Sequence, residues 1–201
     1  MTDWMPFYAA QAGRDPRPTL QRALELRGTT AGFALDLGAG EGSDTRYLLQ
    51  QGWRVHAVDG ADGAGDRIRQ NVPPLLRDSL TVEQRSFEDI LELPPADLVY
   101  AGYALPFCAP VAFPVLWEAI RDAMEPSGWF AGELFGPHDD WAGSTNMNFH
   151  DRAAVEQLLA GLETAELLEE DRDGPMVGGT KHWHVFHVIA HAVTSRPSPV
   201  E

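Results

Sequence analysis

Two periodicities alternate along this chain. Short apolar runs at 33–37, 55–58, 97–100 and 129–135 are bounded by Gly, Pro or charged residues, the pattern of strands covered on both faces of a parallel sheet, and another strand is expected at 80–85. Between them apolar residues recur at helical spacing: Leu20, Ala23 and Leu24, then Tyr47, Leu48 and Leu49, then Phe113, Leu116, Trp117, Ile120 and Met124. Pro18 or Thr19 is placed to open the first of these helices, a short one is expected over 66–70, and Asp151 is placed to cap another that runs to 160. A sixth strand is predicted at 163–170, ahead of a turn rich in Gly and Asp, and a last one at 181–193. Residues 4–17 are aromatic, Pro-containing and irregular, and 136–150 read as a long polar and aromatic loop. The alternation predicts one α/β domain over 1–195, with 1–28 as lid and leading helix and 196–201 as a disordered tail.

The first strand–loop–helix unit, residues 33–52, reads FALDLGAGEGSDTRYLLQQG. Gly38, Gly40 and Gly42 supply backbone that turns tightly and approaches a ligand, Ser43 or Asp44 is placed to cap the helix, and Gly52 to end it. A dinucleotide fingerprint puts its third glycine three positions after the second, where this chain has Ser43, so the spacing is G-x-G-x-G. Glu41 and Asp44 would also repel a pyrophosphate drawn to the helix N-terminus. A cationic ligand meets no such penalty. S-adenosylmethionine carries a sulfonium and an ammonium and no phosphate, and Asp36 and Glu41 around open glycine backbone suit it. Asp59 closes the second strand, where a carboxylate accepts from both ribose hydroxyls.

DLGAGEG followed by VHAVDG, with PSGWF ahead of a later strand, resembles the cofactor site of class I S-adenosylmethionine-dependent methyltransferases of the small-molecule type, similar to the tellurite-resistance and type 11 and 12 groups. The resemblance implies a Rossmann-like fold: a seven-stranded, mostly parallel sheet with the last strand antiparallel beside the fifth, and helices on both faces. It implies an enzyme that moves a methyl group to a small-molecule acceptor by in-line displacement. Its cofactor residues fall on Asp36, Gly38, Ala39, Gly40, Asp59, Gly60, Ser86, Phe87, Glu88 and Ala101, with Arg14 on the methionine carboxylate and Tyr8 over the methyl group. Ser86 departs from the family pattern, which has an acid there for the adenine amino group, so either its hydroxyl or Glu88 takes that part. Relatives that methylate amides or bases carry Asn/Asp-Pro-Pro-aromatic after the fourth strand. Ala101, Gly102, Tyr103 and Ala104 stand there instead, which turns the reading from that chemistry and leaves Tyr103 and Phe107 as pocket walls. Two alternatives stay open: a nicotinamide-dependent oxidoreductase, and a non-catalytic relative that keeps the cofactor as a regulator.

Composition narrows the partners. With 201 residues, 44% of them hydrophobic, the chain fills one domain, and it has no apolar run long enough to span a membrane. The net charge of -15 opposes nucleic-acid binding, and the expected state is a monomer or homodimer. The amino-terminal residues lack a secretory pattern and Cys108 is the single cysteine, which points to the cytoplasm. Cys108 lacks a basic neighbour in sequence and reads as buried packing. In the last strand His182 and His184 share one face and His187 and His191 the other, no Cys or carboxylate completes a set at ordinary spacing, and no metal is expected. His182 and His184, near the pocket rim, join Tyr8 and Tyr103 as catalytic candidates. Loop residues His138, Asp139, Asp140, Trp141, Asn146 and His150 are candidates for substrate contact.

Overall fold

The computed structural model describes residues 5–11, 13–28, 30–124 and 126–193, with the side chains of residues 5 and 6 excepted. Trp4 and the tail expected to be disordered lie outside the described residues. Seven strands form one sheet in the order β3-β2-β1-β4-β5-β7-β6. These are β1 (Phe33–Leu37), β2 (Arg54–Asp59), β3 (Leu80–Gln84), β4 (Leu98–Ala101), β5 (Trp129–Phe135), β6 (Leu162–Met176) and β7 (Gly179–Ala192). The first five pair in parallel, and β7 runs antiparallel to both β5 and β6. Because β1 has β2 on one side and β4 on the other, the chain reverses its direction of growth there. A crevice therefore opens at the carboxyl ends of β1 and β4.

Strand periodicity divides the core into two layers. Leu35, Leu37, Val99, Ala101, Phe130, Leu134, Phe186 and Val188 face α5 (Phe113–Ala123) and α6 (Arg152–Leu158). Their alternating neighbours Ala34, Leu98, Tyr100, Ala131 and Ile189 face α2 (Pro18–Arg27) and α3 (Ser43–Gln50). Both sets are fully buried or nearly so, which is why these strands read as continuous apolar runs. α4 (Ala64–Asn71) closes the sheet end on β2 and β3 through Ala64 and Ile68.

Three sequence expectations need correction. Part of the irregular stretch 4–17 is a helix, α1 (Met5–Gln11), ended by Gly13 in the left-handed region; it is too short for an apolar period to show. Neither Ser43 nor Asp44 caps α3: Gly42 occupies the N-cap at φ 88°, and the Asp44 carboxylate turns to two arginines. The Gly/Asp-rich turn is strand, since β6 continues through Asp171, Asp173 and Gly174 to Met176, and the reversal falls at Val177 and Gly178. Cross-strand pairing overrides local turn preference there, with Asp171 opposite His184 and Asp173 opposite His182.

Candidate active site

The glycine loop between β1 and α3 is tied to β2, where the amides of Gly38 and Ala39 both donate to the Val58 carbonyl. At Gly38, φ is +72° and a Cβ would lie 2.3 Å from the Ala104 methyl, so only glycine lets β1 and the β4 loop meet. Gly40, at φ +61°, points its missing Cβ at the Tyr8 ring 3.4 Å away. Asp59 anchors this corner: its carboxylate accepts from Gly40 N at 2.8 Å, Ala61 N at 2.9 Å and the Tyr8 hydroxyl at 3.4 Å.

Tyr8 therefore stands over Gly40 and Asp59, with the Arg67 guanidinium 4.3 Å from its ring centroid, and not over the end of β4 where a methyl group was expected. Burial and the Asp59 charge push its hydroxyl well above the ordinary tyrosine range, so it acts as a donor and not as a base.

Below the loop lies a buried charge cluster. Asp36, on the α2/α3 face of β1, accepts from the Thr45 hydroxyl, and burial followed by the Asp44 charge raises its carboxyl to about 7. Arg14 donates to both oxygens of Asp44, at 3.1 and 2.5 Å, and Asp44 also accepts from Arg17 N and the Tyr100 hydroxyl. Arg14 is thus held by a carboxylate of the chain itself. The Arg17 guanidinium stacks 4.5 Å from the Tyr103 centroid, and its Nε is buried without a hydrogen-bond partner, as is Glu41 Oε1. Glu41 Oε1 and the Nε of both Arg14 and Arg17 are buried without hydrogen-bond partners, so orphaned atoms of both signs meet here. A zwitterion with further positive charge satisfies both.

Along the crevice the expected adenine residues divide. Gly60 packs so closely that a Cβ would lie 3.0 Å from Ser86 Cα, and Phe87 lies 3.3 Å from the Gly38 Cβ position. The Ser86 hydroxyl donates to Asp89, and Glu88 accepts from Ala109 N, which pins the segment leading to α5. Ala101 ends β4 fully buried, opposite Gly132.

Tyr103 follows at φ 55°, a left-handed conformation unusual for tyrosine, and its amide donates to Glu133 of β5. Its ring meets Trp183 and His187 edge-on, with centroids 6.0 and 6.2 Å away. Burial and Glu133 push its hydroxyl up as well.

The histidine expectations change most. His182 and His184 lie on the α5/α6 face of β7, away from Tyr103, where Asp171 lies opposite His184 and Asp173 opposite His182. His182 reaches Asp173 through Nδ1 at 2.8 Å and Asp171 through Nε2 at 2.6 Å, which ties up both ring nitrogens. Carboxylates do join the histidines, contrary to expectation: ligating atoms of His138, Asp171 and His184 lie within 4.8 Å of one another. The local spacing hid them because they come from β6 and the loop after β5. Their hydrogen bonds oppose ligation, however. His184 Nδ1 accepts from His138 N at 3.1 Å, so its proton is on Nε2, aimed at Glu169 Oε1 3.0 Å away, and no lone pair is left for a cation.

On the α2 face His187 is the histidine beside Tyr103, and spacing alone gave it no distinction from His191. Among the loop candidates, His138 pairs with Asp171, and Asp139 is buried against Lys181 within an aromatic box of Phe135, Trp141 and Trp183. His150 lies tilted against Phe113 at the start of α5, with ring centroids 4.8 Å apart. Cys108 is fully buried, and burial with the Glu88 charge pushes its thiol up to about 12.

Residues 34–128 match the family model described as a methyltransferase domain. No curated protein matches the chain by sequence. Among solved structures it is similar to TehB from Haemophilus influenzae, with TM-score 0.75 and 11% identity over 88% of this chain and 62% of TehB, so it spans less than two thirds of that protein. It is similar to 1,6-didemethyltoxoflavin-N1-methyltransferase from Burkholderia thailandensis, solved with 1,6-didemethyltoxoflavin and S-adenosylhomocysteine, at TM-score 0.67 and 22% identity over 88% of this chain and 77% of that one. An S-adenosylmethionine-dependent methyltransferase from Mesorhizobium loti aligns at TM-score 0.66 and 17% identity over 86% and 95% of the two chains.

Proposed function

We propose that this chain, whose residues 34–128 match a methyltransferase domain, transfers a methyl group from S-adenosylmethionine to a small molecule bound beside Tyr103. When bound, the cofactor supplies a methyl group on a sulfonium, whose departure leaves a neutral thioether. The observation that carries the reading is the buried acidic cluster of Glu41 and Asp44, with Asp36 beneath it, under a glycine loop whose far side ends in Asp59. It favours cationic groups and disfavours a pyrophosphate at the same position.

Asp59 holds the ribose hydroxyls once the Tyr8 hydroxyl gives way, and the backbone of Gly38, Ala39 and Gly40 lies against the cofactor. Gly60, Ser86 and Phe87 border the adenine, with Glu88 fixing that wall through Ala109. Arg14 and Arg17, each with an unpartnered Nε and each beside Asp44, are the candidates for the methionine carboxylate. Ala101 and Tyr103 border the methyl group. These residues speed the reaction by holding donor and acceptor in line and excluding water.

Support for a small acceptor is the apolar and aromatic surroundings of Tyr103 together with a net charge of -15, which is unsuited to a phosphate backbone. Among the described residues no helix is long and apolar enough to cross a membrane. Calorimetry with S-adenosylmethionine, S-adenosylhomocysteine and NADH tests the reading: the first two should bind in the micromolar range or tighter and NADH should give no heat. Micromolar NADH binding without heat from S-adenosylmethionine returns the site to a dinucleotide.

A further inference from the structure

β5 is a central strand, yet it carries a fully buried carboxylate at Glu133, between Gly132 and Leu134. A charge in that position is tolerated only if its oxygens are hydrogen-bonded. Three donors from three elements meet it: Thr19 Oγ1 of α2 at 2.5 Å, Tyr103 N at 3.0 Å and His187 Nδ1 of β7 at 3.3 Å.

The arrangement fixes the histidine tautomer. The Thr19 hydroxyl spends its proton on Glu133, so at His187 Nδ1, 3.3 Å away, it offers only a lone pair. Nδ1 thus faces two acceptors and carries the proton, and the lone pair of the neutral ring is on Nε2. Nε2 has Glu170 Oε2 at 3.7 Å, beyond hydrogen-bond length. The His187 side chain keeps 21% of its surface exposed, beside Tyr103 at the carboxyl end of β4. His182 and His184, by contrast, have both ring nitrogens engaged on the opposite face.

We propose that Glu133 and His187 form a proton-accepting pair: Glu133 fixes His187 through Nδ1–H, and Nε2 takes the proton from an acceptor whose methylated atom is carried as a phenolic O–H or a ring N–H. This rests on the methyl-transfer reading above. The acceptor's O–H or N–H bond breaks with its proton passing to Nε2, the freed pair bonds to the methyl carbon, and the carbon–sulfur bond breaks with its pair staying on sulfur. His187 then releases the proton to water, so the products are the methylated acceptor, the neutral thioether and one proton.

The charges around the ring set its working range. Burial lowers the His187 pKa, and Glu133 of β5 with Glu170 of β6 more than offsets it, so the net direction is up. Tyr103 borders the ring with Arg17 stacked on it, and Arg172 holds Glu170 at 3.0 Å. The base form therefore dominates above a pKa higher than 6.5.

The test uses the full chain with S-adenosylmethionine bound, radiolabelled in the methyl group. Phenol and 2-naphthol, both un-ionised near neutral pH, are the protic probes, and iodide is an acceptor with no proton to lose. His187→Asn should lower transfer to the protic probes by 100-fold or more while transfer to iodide stays within twofold. Glu133→Gln should move the acidic limb of kcat/KM to lower pH, and ring NMR of the wild type should show the neutral His187 protonated on Nδ1. An equal loss with iodide and the protic probes, a His187→Asn rate within threefold of wild type, a proton on Nε2, or a wild type that binds cofactor and methylates no protic probe each overturns the pair. A wild type that binds no S-adenosylmethionine by calorimetry overturns the methyl-transfer reading itself, and this proposal with it.

Discussion

Asp59 and Asp36 are both buried carboxylates in the glycine-loop region, and their surroundings give them opposite characters. Asp59 accepts two backbone amides and a hydroxyl, and on the proposed reading ribose takes the place of the Tyr8 hydroxyl. Asp59→Ala should weaken S-adenosylmethionine binding by about 1.5–3 kcal/mol for each charge-assisted hydrogen bond lost, read by calorimetry on protein whose melting confirms a folded sheet. An unchanged affinity would move the ribose elsewhere. Asp36 has one hydroxyl donor and a like charge nearby, and its carboxyl is raised from 3.8 to about 7. A raised acid keeps its proton in the folded state after the unfolded chain has lost it. Its contribution therefore falls as pH climbs from about 4 to about 7 and is flat above, with a slope on the order of 1.4 kcal/mol per pH unit. Urea unfolding of Asp36→Asn should lack that slope, so that the variant gains on wild type from pH 4 to pH 7; parallel curves for the two proteins contradict this.

α1 and the β6–β7 hairpin show where elements escape sequence reading. α1 places Tyr8 over Gly40 and Asp59. Deleting residues 1–14 should leave a folded sheet with weaker cofactor binding and little activity, and cofactor should protect the intact amino-terminal segment from protease. Equal melting shifts in both proteins, with unchanged cleavage, would reduce α1 to packing. Strands β1, β2, β4 and β5 were legible because burial on both faces demands near-continuous apolar runs, as in Leu35 and Leu37 or Phe130 and Ala131. The G-x-G-x-G loop and Asp59 were legible because their spacing follows from the strand–loop–helix connection. α1 was not, because its anchor, Tyr8 against Gly40 and Asp59, is a tertiary contact. Arg14 and Arg17 stand three residues apart in an irregular segment and both reach Asp44, so sequence alone could not set one apart from the other. Glu133 and His187 are 54 residues apart and meet only because β7 inserts antiparallel to β5, opposing Glu133 to His187.

At the scale of the whole molecule, one twisted sheet binds both halves of the site. On the proposed reading the cofactor lies at the β1 and β2 ends and the acceptor beside β4, β5 and β7, and β4 is hydrogen-bonded to both β1 and β5. The net charge of -15 is spread over helices and the exposed face of β6, while the crevice keeps its cations, Arg14 and Arg17, on the incoming segment between α1 and α2. Cys108 lies beyond β4 in the buried wall that holds Leu105, Phe113 and Leu116, and its carbonyl accepts from the Asn148 amide. As the lone thiol of the chain, fully buried and raised to about 12, it makes the protein its own stopwatch. A thiol dye can label only molecules whose wall has come apart, and the labelling rate counts those openings. If the wall parts only when the whole sheet does, S-adenosylmethionine should slow labelling by the factor one plus its concentration over Kd. If the segment around Cys108 breathes alone, the dye should enter at the same rate with or without it.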